Sequence, residues 1–170
     1  MWLKYIIIAL IFFVLALFQT SFLPYFNIAG TVPNLVFILF FILTFFDESG
    51  NYYEGFFLSI IAGFLLDVFS PSYFGISIVS LLIIYFTTKS INYFLKEREE
   101  KYIIIYFLLI FLLCFFVYHL FLYMFLDSII FNENMTIEFL YNLGFALIGF
   151  YPCQTFFMAY KNKRQLKLFK

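Results

Sequence analysis

Residues 54–75 read EGFFLSIIAGFLLDVFSPSYFG, and the reading of this stretch decides the fold. Gly55, Ser59, Gly63 and Asp67 recur every four residues. On a helix that spacing lines them up as one stripe. Three are small, and the fourth is a carboxylate in an otherwise apolar run. Lipid makes no demand for such a stripe, whereas a helix that brings its backbone close to a neighbour does. The chain breaks at Ser70-Pro71-Ser72 and restarts after Gly75. The stretch therefore reads as the central packing element of a polytopic membrane protein.

The surrounding chain agrees. Of its 170 residues, 65% are hydrophobic and 12% charged, and the mean hydropathy is +1.02. Soluble domains are about half apolar and a quarter charged. Six apolar segments follow in order, at about 3–23, 33–46, 53–69, 76–95, 102–126 and 138–160, within a single transmembrane domain. The expected fold is all-α, a bundle of six transmembrane helices. The first segment has no small-x-small cleavage site after it and reads as a retained helix. Trp2 and Lys4 stand at its start as interfacial anchors, and Pro24 ends it. Pro33 suits the first turn of the second segment. That segment rises only about 21 Å, against a hydrocarbon core of about 30 Å. Either Thr31 and Val32 extend it or protein shields its ends. Gly144, Gly149 and Pro152 mark the sixth segment as a candidate interface helix with a kink.

Charge sets the expected orientation. With six spans, all ten Lys and Arg residues fall on one face: Lys4, Lys89, Lys96, Arg98, Lys101, Lys161, Lys163, Arg164, Lys167 and Lys170. The loops at Tyr25, Ser70 and Asp127 carry none. The positive-inside rule puts both termini in the cytoplasm. The most charged stretch, Lys96 to Lys101, reads as a solvated linker. The basic tail 161–170 reads as a juxtamembrane segment drawn to anionic lipid.

Few residues carry chemistry. Asp67 is a carboxylate in a spanning helix, and that position makes it a functional candidate by default. Its nearness to Ser70 favours a helix-end anchor bonded to the loop Ser70-Pro71-Ser72 over a partner contact or an ion site. Glu54 is the other acid in that segment. His119, between Phe115 and Tyr123, reads as a hydrogen-bonded packing residue, and Asn142 as polar glue between helices. Cys114 and Cys153 lie in apolar runs and read as packing thiols. No nucleophile-and-base set, phosphate loop or metal-ligand spacing is present. Neither an enzyme nor a cofactor is expected.

The central third resembles a known family. Pro33-Asn34-Leu35 opens an apolar helix. A polar turn, Asp47 to Asn51, follows. Then come Gly55 and the run Ala62-Gly63-Phe64-Leu65-Leu66-Asp67, and a short loop closes with Phe74-Gly75. This order resembles the rod shape-determining protein MreD family. Asn34 stands where relatives more often have Asp, and Ser59 where they often have Gly. The resemblance implies a non-enzymatic subunit of the cell-elongation complex in the bacterial cytoplasmic membrane. Such a subunit binds MreC and works with the MreB filament, RodA and a class B penicillin-binding protein in lateral peptidoglycan synthesis. The family's fold is similar to the S component of energy-coupling vitamin transporters, and a substrate-binding subunit of that kind is the alternative. In the scaffold reading Gly55, Ser59 and Gly63 hold helices together, and Gly63→Leu abolishes complex formation.

Overall fold

A computed structural model describes residues 2–47, 52–70, 73–94, 102–125 and 134–168, of which residues 2, 4 and 157–168 are described by backbone only. It contains six α-helices: α1 Trp2–Ser21, α2 Leu35–Phe45, α3 Tyr52–Phe69, α4 Ile76–Phe94, α5 Ile103–Phe125 and α6 Met135–Leu168. A short 3-10 helix, Leu23–Phe26, follows α1 and carries Pro24 in its first turn. The described residues form no strand beyond an isolated bridge between Ile28 and Thr31. Three helices, α3, α4 and α5, are long and apolar enough to cross a membrane. This is the composition and build of a membrane protein.

The centre of the bundle is α2, which corrects the expectation that the third segment would occupy it. Eight of the eleven residues of α2 are buried: Val36, Phe37, Ile38, Phe40, Phe41, Ile42, Thr44 and Phe45. Helices α1, α3, α4 and α6 pack directly around it. Aromatic rings fill the wider gap to α5: Phe37 meets Phe111 at 5.9 Å, and Phe41 meets Phe107 at 5.3 Å and Phe111 at 5.2 Å. Phe45 meets Phe107 edge-on at 5.1 Å. Such pairs contribute about 0.5–1.5 kcal/mol each beyond area burial. At eleven residues α2 is about 16 Å long, too short to cross a bilayer alone. Of the two explanations offered by its sequence, the shielding of its ends by protein is the one the structure adopts. Thr31 and Val32 do not join it. Pro33 lies buried one residue ahead of the cap Asn34, and not in the first turn where its sequence placed it.

The stripe on α3 faces α4. A Cβ at Gly63 would lie 2.5 Å from Ile78 Cα and 2.7 Å from Ile78 N, so the two backbones meet there. A Cβ at Gly55 would enter the ring of Tyr85, a fully buried side chain whose hydroxyl donates to the Tyr52 carbonyl at 3.2 Å. Ser59 turns its hydroxyl back to the Gly55 carbonyl at 2.8 Å. The polar atom is thereby satisfied inside its own helix, and serine packs as a small residue.

The sixth helix departs most from expectation. It starts at Met135 and runs unbroken through Pro152 to Leu168, so most of the anticipated tail is helical. Pro152 removes the bond that its N–H would give to the Ile148 carbonyl and sets its ring against that carbonyl. Both residues stand on the exposed side of the helix. The proposed loop residues Pro71 and Ser72, the charged run 96–101, and 126–133 of the fifth loop lie outside the described residues.

Candidate functional site

A helix that begins inside a membrane has a specific problem. Its first N–H groups have no partner within the helix. In hydrocarbon each unsatisfied group costs several kcal/mol. This chain starts both α2 and α4 within the protein, and it solves the problem with side chains borrowed from other helices.

For α4 the donor groups are Gly75 and Ser77, and the acceptor is Asp67 of α3. Asp67 Oδ2 accepts the Gly75 N–H at 2.7 Å, and Oδ1 accepts the Ser77 N–H at 3.0 Å. Asp67 is 5% exposed. Its expected role as a helix-end anchor stands, but its partners are the first turn of the next helix; Pro71 and Ser72 lie outside the described residues. Gly75 has φ +101°, a left-handed conformation that glycine adopts without strain. That turn aims its N–H back at α3.

For α2 the acceptors come from three helices. Asn34 caps its own helix, its Oδ1 accepting the Phe37 N–H at 2.9 Å. Asn142 Oδ1 of α6 accepts the Asn34 backbone N–H at 2.8 Å. Gln19 Oε1 of α1 accepts the Val36 N–H at 3.5 Å. The amide of Asn34 also donates to the Tyr118 hydroxyl of α5 at 3.4 Å.

The two caps are one network. The Tyr118 hydroxyl lies beside the buried Ser77 side chain as well as Asn34. Asn142 donates to the Glu138 carbonyl at 2.8 Å. Glu138 Oε1 stands 3.4 Å from His119 Nε2, and His119 rests on the Phe115 ring at 4.2 Å. Gln19, Asn34, Asp67, Ser77, Tyr118 and Asn142 thus join all six helices at one end of the bundle. His119 and Asn142 take the packing roles expected of them. Tyr118, Ser77, Gln19 and Glu138 escape sequence reasoning. Each is an unremarked polar residue whose partner lies many positions away.

The opposite end of α2 is closed by α4. Lys89 Nζ reaches Asp47 Oδ2 at 2.9 Å and the Asp47 carbonyl at 3.4 Å, and its ammonium lies 6.0 Å from the centre of the Tyr52 ring. Asn92 donates to the Phe45 carbonyl at 3.2 Å. The Asn92 amide satisfies the last carbonyl of α2, and the Lys89 cation just beyond it opposes the negative end of the helix. The sequence offered Lys89 only as one of the ten cations on one face and Asp47 only as part of a polar turn.

The remaining candidates separate. Gly149 packs inside the chain, where a Cβ would lie 2.7 Å from Ile42 Cδ1. Gly144 has nothing within 4 Å of its would-be Cβ, and Pro152 is exposed. Only these two face outward. Cys114 is buried with its sulfur 3.3 Å from Thr88 Oγ1, and Cys153 is half-buried; both are free thiols. Among the described residues no group of three or more His, Cys, Asp or Glu could hold a metal ion. The chemistry this arrangement performs is capping and cross-linking of helices. No family model, no curated protein and no solved structure matches the chain.

Proposed function

We propose that this chain is a non-enzymatic, multi-pass subunit of the bacterial cell-elongation complex, of the MreD kind. It lies in the cytoplasmic membrane with six spans and both termini inside, and it binds MreC. One observation carries the reading. The residues on which the resemblance rests, Pro33, Asn34, Gly63, Asp67 and Gly75, are those that start α2, close α3 on α4 and start α4. A motif with that use belongs to a packed scaffold. The polar groups of the network are also engaged with one another and with helix ends, as suits a structural part.

In this reading the partner meets the outward side of α6, where Leu140, Gly144, Ile148 and Tyr151 are exposed. The test is co-purification. The tagged full-length chain, extracted from native membranes in mild detergent, should bring down MreC, and replacing Gly144 with Phe should reduce the yield of MreC without loss of the chain itself. Recovery of two ATPases and a coupling protein in place of MreC would assign the chain to the S components of vitamin transporters and end the elongation reading.

A further inference from the structure

The ring of helices around α2 has one opening. Helix α1 packs on α3, α3 on α4 and α4 on α5, and α5 meets α6. Helices α1 and α6 each pack on α2, but among the described residues they do not pack along each other. The three residues of α2 that are only half-buried are Leu35, Leu39 and Leu43. They recur every four residues and so share one face. Phe37, Phe41 and Phe45 turn away from that face to α5, and Ile42 meets Gly149 of α6. The three leucines are therefore the floor of a seam between α1 and α6.

The walls are apolar too. On α1, Phe13 turns to Phe69 of α3, and Ile8 and Leu15 are half-buried on the opposite flank. On α6, Phe145 is half-buried and packs at 5.5 Å on Tyr141. One end of the seam is shut. The Tyr141 hydroxyl donates to the Phe26 carbonyl at 3.0 Å, and the Asn134 amide donates to the Ala29 carbonyl at 2.9 Å. These bonds tie the connection between α1 and α2 to α6, level with the Asn34–Asn142 bond. Among the described residues no such tie joins α1 to α6 at the other end, beside Asp47. The seam thus follows α2 for about 16 Å and opens at the Asp47 end. One leaflet's share of a hydrocarbon core of about 30 Å is about 15 Å. A spanning helix needs the full depth and would run into the shut end. A lipid chain needs half of it and enters from its own side.

We propose that the seam over Leu35, Leu39 and Leu43 holds one acyl chain of a phospholipid from the leaflet on the Asp47 side. The carboxyl end of that chain lies near Leu43 and its methyl end near Leu35. Floor and walls, Leu35, Leu39, Leu43, Ile8, Leu15 and Phe145, carry hydrocarbon side chains alone. The site therefore takes its occupant by packing and leaves the headgroup at the membrane surface. The inference does not depend on the identity of the protein partner.

The experiment uses the full chain in phosphatidylcholine bilayers that contain phosphatidylcholine with a photoactivatable diazirine on one acyl chain. Label on α2 is diagnostic, because eight of the eleven residues of that helix are buried. A diazirine at the methyl end should label residues around Leu35, and one near the carboxyl group should label residues around Leu43. Leu39→Trp fills the seam and should remove most of the label from α2. Leu112→Trp, on the exposed side of α5, should leave it in place. Phe145→Trp narrows the seam from α6 and provides a second filling variant should Leu39→Trp fold poorly. An unlabelled α2 in the parent overturns the proposal, whether a second copy covers the leucines or α1 and α6 close on each other. A reversed order of depth overturns it, and so does label that survives both filling variants. Co-purification of MreC is a separate readout and can fail or succeed independently.

Discussion

Asp67 Oδ1 accepts the backbone N–H of Ser77 at 3.0 Å, across the junction between two helices. With the Gly75 bond at 2.7 Å, one carboxylate occupies both of its oxygens on the start of α4. The geometry makes the charge a fastener between α3 and α4.

Asp67→Asn tests this directly. An amide presents one acceptor oxygen where the carboxylate presents two. One N–H at the start of α4 then loses its partner, at a cost of about 1–3 kcal/mol. Thermal unfolding of the purified chain in detergent should show a lowered midpoint, and Asp67→Ala should lower it further. Equal stability of all three proteins would remove Asp67 from the capping role.

Glycines at 63 and 144 make a matched pair of substitutions. Gly63→Ala places a Cβ 2.5 Å from the Ile78 Cα. A backbone atom cannot rotate away, so α3 and α4 must part, and overpacking of this kind costs about 1–3 kcal/mol. Gly144→Ala meets nothing within 4 Å and should stabilise the helix by about 0.5–1 kcal/mol. The same unfolding assay should move in opposite directions for the two. Loss of stability in both would mean that the side of α6 around Gly144 is occupied.

Asn34 should separate by chemistry in a third way. Asn34→Asp keeps an acceptor for the Phe37 N–H, and the Tyr118 hydroxyl can turn to donate to the new carboxylate. Asn34→Ala loses the cap, at about 0.5–2 kcal/mol. It also strips Tyr118 of a partner. Asp should therefore be tolerated and Ala should destabilise, with Tyr118→Phe adding little in the Ala background. A double-mutant cycle on the unfolding midpoint reads that coupling, and additive losses at the two positions would show them to be unconnected.

The membrane class, the helical segments and the use of the small-residue stripe were legible in the chain because they rest on local properties. Composition fixes the solvent. Runs of apolar residues fix where helices form, since a spanning chain must satisfy its own backbone. The four-residue spacing of Gly55, Ser59, Gly63 and Asp67 fixes a helix face. Helix limits fell within a few residues for the first five helices, because Pro24, Asn34 and Gly75 are local signals.

Other features required the tertiary structure. Nothing in residues 33–46 shows that α2 is the centre, because a segment apolar on all sides suits lipid and a protein core equally. Nor do the sequence positions of Gln19, Tyr118, Ser77 and Asn142 show that they converge on the starts of α2 and α4. Hydrogen-bond partners as distant in sequence as Asn34 and Asn142, 108 residues apart, are brought together only by how helices cross, and packing sets that without a local signature. The stretch 54–75 by itself determined that a helix with a small-residue face ends in a carboxylate. Only the folded bundle decided that this face lies on α4 and that the carboxylate caps it, because a helix start buried in an apolar surrounding must find its acceptors wherever packing has placed them.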